Sequence, residues 1–231
     1  MKKLTLNDFK FQFKEIQNRG YIRCDRKGDG SAGHLLEDLL GITENNESAP
    51  DIEGYELKVG REHTSSLQTL FNKEGEWQMK QIDFLMNHGF PHTVKIGEMS
   101  GQATIRKEPN KQGYYFKTDD NYLNVMVKDT VIVRWEWESL VSIFNNKFPN
   151  CLKVIAKMKK ENNIEYFHFI RCYLCRGTNK YRFKELLERD LISVDFRLYT
   201  QFNLNKGIRN RGTAFRIRAN EMNHLFDMEE I

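Results

Sequence analysis

The sequence predicts an α/β fold with a central mixed sheet and helices packed on it, and three features point there. Stretches that alternate apolar and polar residues, above all Tyr122 to Trp137, are interleaved with stretches of helical spacing such as Asn7 to Arg19. Neither kind is gathered into one half of the chain, the pattern of layered α/β architectures. The third is size: 231 residues with 39% hydrophobic and 12% aromatic content can bury one large core, or two lobes around a shared one. No internal repeat and no low-complexity linker marks a sharp boundary, so the chain reads as a single domain.

Taken in order, the first helix is expected over Asn7 to Arg19, with Phe9, Phe13 and Ile16 on one face, Asn7 as N-cap and Gly20 just past the end. A glycine-rich basic loop, Arg26 to Gly33, opens into a helix over Gly33 to Leu40. Leu35, Leu36, Leu39 and Leu40 form its apolar stripe, and Glu37 lies away from it. The loop lacks Gly-Lys-Ser/Thr, which leaves nucleotide hydrolysis without support. Tyr55 to Val59 alternates as a strand. Tyr122 to Trp137 alternates around Lys128-Asp129 as a hairpin, so Trp135 and Trp137 at period two read as packed residues. A helix follows over Glu138 to Phe148, then strands over Leu152 to Lys157 and Ile164 to Cys172. A helix over Arg182 to Arg189, strands over Leu191 to Thr200 and Thr213 to Arg218, and a closing helix over Ala219 to Phe226 complete the expectation.

The chemistry concentrates in Ser48 to Val59. As a strand, Tyr55, Leu57 and Val59 share one face, and Glu56 and Lys58 share the other. Asp51 enters from the turn before it, between Pro50 and Gly54. Two hard carboxylates and an ammonium converging on one spot suit a divalent cation, a phosphate oxygen and a water activated for in-line attack. That is the equipment of phosphodiester hydrolysis. An amphipathic strand bearing Glu and Lys is also ordinary surface chemistry, so the short pattern alone leaves a solvated strand as the plainer reading.

Charge is unevenly spread. Cys151 to Arg218 holds sixteen Lys and Arg against six Asp and Glu, whereas Met1 to Glu62 holds ten against twelve. Lys206 to Arg218 carries five basic residues and no acid, the footprint of a surface facing phosphates, although a basic loop can also be merely solvated. No run of eighteen apolar residues and no signal-peptide pattern is present, which predicts a cytoplasmic protein without membrane contact. The four cysteines read as reduced and structural. Cys172 and Cys175 have zinc-like spacing but no partner pair. The histidines, among them His34 and His63, are not paired at metal-ligand spacing.

The catalytic spacing resembles the PD-(D/E)xK nuclease signature. A wider set of blocks resembles the MutH-like restriction endonucleases of the MvaI and BcnI type: Arg26-Lys27-Gly28, Gly33, Leu36 to Leu40, Ala49-Pro50-Asp51, Glu56-Leu57-Lys58 and Ser66 to Phe71. It continues in Leu174 to Gly177, Val194 to Arg197 and Gly212 to Ile217, while Trp77 to Gln112 matches poorly.

The resemblance implies a monomeric, type II site-specific endonuclease on a PD-(D/E)xK α/β core, with two lobes clasping double-stranded DNA. A catalytic lobe centred on residues 26–75 and a recognition lobe including residues 190–218 would lie within one nuclease domain. Such an enzyme cuts a short, nearly palindromic site one strand at a time, leaves 5′-phosphate and 3′-hydroxyl ends, and works beside a cognate DNA methyltransferase. In this chain Asp51, the Glu56 carboxylate and the Leu57 carbonyl would hold Mg²⁺, Lys58 would orient or deprotonate the water, and Glu37 would act from a step further out. Arg26 and Lys27 would contact DNA. Arg209, Asn210, Arg211 and Arg216 would read bases in the major groove, with Arg197 on the opposite groove. Two alternatives remain open at this level: a mismatch-repair nicking endonuclease and a non-catalytic DNA-binding module.

Overall fold

Thr5, rather than Asn7, caps the first helix, Leu6–Asn18. Its hydroxyl accepts from the Asp8 N–H at 3.2 Å and the Asp8 carboxylate accepts back from the Thr5 N–H, a capping box. Phe9, Phe13 and Ile16 are buried along one face, as their spacing requires. The computed structural model describes residues 4–28, 30–42, 52–62, 66–148, 150–176 and 181–231, and the chain divides into two units.

The first unit is Met1–Ser66, Asn145–Asn179 and Ala219–Ile231. Among the described residues it holds one mixed five-stranded sheet. Ile22–Cys24, Ile164–Arg176, Cys151–Glu161 and Glu56–Arg61 lie side by side, and Asp227–Glu230 pairs with the far end of Ile164–Arg176. Glu56–Arg61 runs parallel to Cys151–Glu161, and the other pairings are antiparallel. Period-two alternation on Glu56–Arg61 sends Leu57 and Val59 into the core beside Phe9, Phe13, Leu36, Leu152 and Phe169. Glu56 and Lys58 are thereby turned to the opposite face, in register with Cys151 and Lys153.

The helix Ser31–Leu39 packs against the strand Glu56–Arg61 and buries Ser31, Ala32 and Leu36. The expected closing helix is corrected. Ala219–His224 is a short 3₁₀ segment, and the chain then extends into the strand Asp227–Glu230. Edge pairing with Tyr173 to Arg176 decides that strand, because Asp-Met-Glu-Glu has little strand propensity of its own.

The second unit is Leu67–Phe144 and Lys180–Arg218. The hairpin is formed by Tyr122–Val127 and Thr130–Glu136, with Lys128 and Asp129 at φ 45° and 63°, the left-handed pair that a two-residue turn of matching twist needs. Trp135 and Trp137 are buried, their indole N–H groups donating to the Lys73 and Asp119 carbonyls at 3.0 and 2.8 Å. Phe71, Phe183 and Phe215 form an aromatic centre, with Phe71 and Phe215 rings stacked at 4.9 Å. The expected strand over Leu191 to Thr200 breaks at Arg197 into Ile192–Phe196 and Leu198–Thr200, which join two different sheets. The first pairs with Ala214–Arg218, and the second with Ile208–Asn210. The poorly matching middle holds the helix Gln81–His88 and the short strands Phe90–Pro91, Met99–Ser100 and Ala103–Ile105.

Candidate active site and nucleic-acid interface

Glu56 starts the strand Glu56–Arg61, where its N–H donates to the Asn150 carbonyl at 3.0 Å, and its side chain is almost wholly buried, with 3% of the residue exposed. A charge so buried needs partners. Lys58, two residues along the same face, places Nζ 2.7 Å from Glu56 Oε1. Its ammonium also lies 5.6 Å from the centroid of the Phe148 ring. A second ammonium, Lys147 Nζ, stands 3.3 Å from the same oxygen. Lys147 is the last residue of the helix Trp137–Lys147, and sequence reading missed it. The only sequence cue is a lysine at a helix end just before Phe148.

Below this cluster the same sheet face carries Cys151 and the buried Lys153, whose Nζ donates to the Ala219 carbonyl at 2.5 Å. The Cys151 thiol, in register with Glu56, is fully buried; its hydrogen bond with Cys175 and its burial push it well above the ordinary thiol range. Cys172 and Cys175 cannot share a metal, because three residues along a strand place them on opposite faces: Cys172 packs in the core beneath the first helix, and Cys175 pairs with Cys151. Among the described residues two ammonium groups face this one carboxylate, which suits the arrival of a phosphodiester.

Glu56, Lys58 and Lys147 are brought together; the remaining site residues are placed as follows. Asp51 lies outside the described residues, as does His63. The Glu56 and Glu62 N–H groups both donate to carbonyls in or beside Cys151–Glu161, so the intervening alternation turns the Leu57 carbonyl away from that neighbour. Glu37 sits on Ser31–Leu39 with Oε2 3.4 Å from His34 Nδ1, one turn away on the same helix. His34 is thus part of this helix. Arg26 is ion-paired with Asp38 at 3.1 Å, and Lys27 is exposed. Among the described residues no three His, Cys, Asp or Glu converge on a metal position. The donors that are described, a buried carboxylate and a backbone carbonyl, are hard oxygens and fit a small divalent cation.

In the second unit the basic residues separate into two kinds. Arg209 and Arg211 are exposed, on and just after the strand Ile208–Asn210. Asn210 uses its side-chain oxygen to accept from the Gly212 N–H at 2.8 Å, closing a turn in which Gly212 has φ 79°. Arg197 and Arg216 instead hold the framework. Arg197 donates to the Gly212 carbonyl at 3.0 Å, the Arg211 carbonyl at 2.9 Å and Asn72 at 2.8 Å. Arg216 donates to Asp195 at 2.6 Å and the Leu67 carbonyl at 2.7 Å, while Thr104 holds the other Asp195 oxygen.

Comparison with known proteins supplies the family. The MvaI/BcnI restriction endonuclease family matches residues 11–226. Among solved structures, the fold is similar to that of the restriction endonuclease MvaI in complex with a cognate DNA substrate, with a TM-score of 0.80, 24% identity and 97% of each chain covered. It is also similar to MvaI in the absence of DNA, with a TM-score of 0.57, 26% identity and 100% of each chain covered. No curated protein sequence matches the chain.

Proposed function

The chain belongs to the MvaI/BcnI restriction endonuclease family and is a type II site-specific deoxyribonuclease, and from that premise we propose how its own residues do the work. The proposed substrate is double-stranded DNA; the similar MvaI structure is a complex with a cognate DNA substrate. The observation that carries the assignment of the catalytic centre is the pairing of Glu56 with Lys58 at 2.7 Å, with Lys147 at 3.3 Å from the same oxygen.

Restriction endonucleases of this kind depend on a divalent metal, and Mg²⁺ is the ion proposed here, held by Glu56, the Leu57 carbonyl and Asp51. When bound, it supplies Lewis-acid polarisation of the scissile phosphate and lowers the pKa of a bound water. Lys58 orients the attacking water through its ammonium, anchored on Glu56. The water oxygen attacks phosphorus and forms the new P–O bond as its proton passes to solvent, and the P–O3′ bond breaks with the leaving 3′ oxygen taking up a proton from water, giving a 5′-phosphate and a 3′-hydroxyl. Lys147 adds positive charge beside the phosphate oxygens, where negative charge grows in the transition state.

Base reading is proposed for Arg209 and Arg211, whose exposed guanidiniums fit the paired acceptors of guanine. Arg197 and Arg216 set the frame that aims them, a narrower role than direct reading. One copy of the catalytic strand per chain, together with the resemblance to monomeric relatives, supports a monomer that nicks, reorients and cuts again. No helix among the described residues is long and apolar enough to cross a membrane. A cytoplasmic enzyme paired with a cognate methyltransferase is the accompanying proposal.

Digestion of a supercoiled plasmid of known sequence with Mg²⁺, with both strand ends mapped, tests this reading. Cuts at one short sequence, with nicked circle preceding linear DNA, are expected. Random cutting, or no cutting, would refute it.

A further inference from the structure

Two loops of the second unit are built into one surface. Residues 92–97 connect the paired strands Phe90–Pro91 and Met99–Ser100, and the loop is closed by the His92 N–H donating to the Glu98 carbonyl at 2.8 Å. Inside it, His92 Nδ1 accepts from the N–H groups of Val94 and Lys95 at 3.2 and 3.3 Å. The Glu98 carboxylate, on a residue 4% exposed, accepts from the Thr200 hydroxyl and from the N–H groups of Phe202 and Asn203 at 2.5, 2.9 and 2.8 Å. Asn203 returns a hydrogen bond to the Ile96 carbonyl at 2.8 Å, and Lys95 Nζ donates to the Tyr199 hydroxyl at 2.7 Å. Tyr199 is the cross-strand partner of Arg209. The 92–97 loop is therefore fastened to the hairpin that carries the exposed arginines.

What this rigid assembly presents is apolar. Val94 is 81% exposed and Ile96 is 92% exposed, and Phe202 and Leu204 stand out from the neighbouring loop. Well-fastened aliphatic side chains held in water signal a binding surface rather than a loose loop. The charge around them indicates the partner. Neither 92–97 nor 201–212 contains an acid, the adjacent Glu98 is turned inward, and Lys95, Lys206, Arg209 and Arg211 lie on the same two segments. A basic rim around an apolar tip matches a polyanion that offers apolar base and sugar edges.

We infer that the 92–97 loop is a second DNA-contacting element, in which Val94 and Ile96 make apolar contacts with the target duplex and help determine specificity. This rests on the reading of the chain as a site-specific endonuclease, and it adds a contact that counterion release cannot supply. Apolar contacts act on affinity without displacing cations from DNA, so they leave the salt dependence alone.

The test is equilibrium binding, in EDTA, of the wild type and the Val94→Ser/Ile96→Ser double variant to a duplex carrying the mapped cleavage site and to a scrambled duplex, across a salt series. Both side chains are exposed, so the variant should melt like the wild type, and a thermal scan checks it. The expected result is a loss of at least about tenfold for the specific duplex, with unchanged affinity for the scrambled one and an unchanged salt slope. Lys95→Met serves as the contrast and should lower the salt slope. Equal binding of the specific duplex by variant and wild type overturns the inference, as does a variant whose only defect is lost self-association in the ultracentrifuge. If the wild type itself shows no preference between duplexes, the endonuclease reading fails instead.

Discussion

Lys147 and Lys58 meet at one oxygen of Glu56, yet Lys147 stands far away in sequence and comes from the end of a helix rather than from the catalytic strand. In the proposed catalytic centre, two cations on one buried carboxylate would divide the labour at a phosphodiester. One sits within hydrogen-bonding distance on the strand, while the other lies slightly farther off.

That division predicts graded losses. Lys147→Ala should slow single-turnover cleavage by about 10²- to 10³-fold, the size of one removed charge-stabilising donor, while specific binding changes only a few-fold. Lys147→Arg should recover part of the rate. Rapid-quench kinetics on a duplex with the mapped site distinguish this from a structural role, which Arg would not rescue.

The two kinds of arginine predict two kinds of defect. Arg209→Ala and Arg211→Ala should each cost about 1 to 3 kcal/mol of discrimination at one base position. Arg197→Ala and Arg216→Ala should instead lower the melting temperature and weaken selectivity at several positions, because they free the Gly212 turn and Asp195. Competition between the mapped site and its single-base variants, with parallel thermal melts, reads both.

Glu98 makes the fastening of the 92–97 loop pH-dependent. Burial alone would raise its carboxyl, but hydrogen bonds from Thr200, Asn203 and Phe202 outweigh burial and hold it below the ordinary glutamate range. A carboxyl depressed in the folded state contributes stability above its unfolded pKa and loses it as pH falls through the folded pKa. Glu98→Gln should therefore destabilise the protein at neutral pH, with the gap to wild type closing in acid. Melting curves from pH 7 down to about 3 follow it; a gap that stays constant would contradict the assignment.

Phe215 tests the packing of the second unit. It touches Phe71, Phe183 and Trp135 and is fully buried, so Phe215→Ala should cost about 3 to 5 kcal/mol in denaturant unfolding.

Much of this was readable from the chain because it is local. Alternation alone separates Leu57 and Val59 from Glu56 and Lys58, and the Lys128-Asp129 turn announces its hairpin. The rest depends on distant partners. Lys147 reaches Glu56 only because the chain just beyond it lies parallel to the catalytic strand, a pairing that no residue of the helix encodes. The sequence shows the charges of Arg197 and Arg216 but not that backbone carbonyls, Asn72 and Asp195 accept from several of their donors. Asp227–Glu230 is a strand because an edge accepts it, against its own propensity. The 92–97 loop escaped because its order comes from Glu98 and Asn203, which lie in separate segments.

The central claim is that Glu56 and Lys58 form the catalytic centre. Its most direct test is single-turnover cleavage, with Mg²⁺ and saturating enzyme, of a duplex carrying the mapped site by wild type, Glu56→Gln and Lys58→Ala. The account predicts 5′-phosphate ends from the wild type and rates at least about 10³-fold lower for both variants, with the specific duplex still bound by Lys58→Ala within a few-fold. Comparable cleavage rates for Lys58→Ala and the wild type would contradict it.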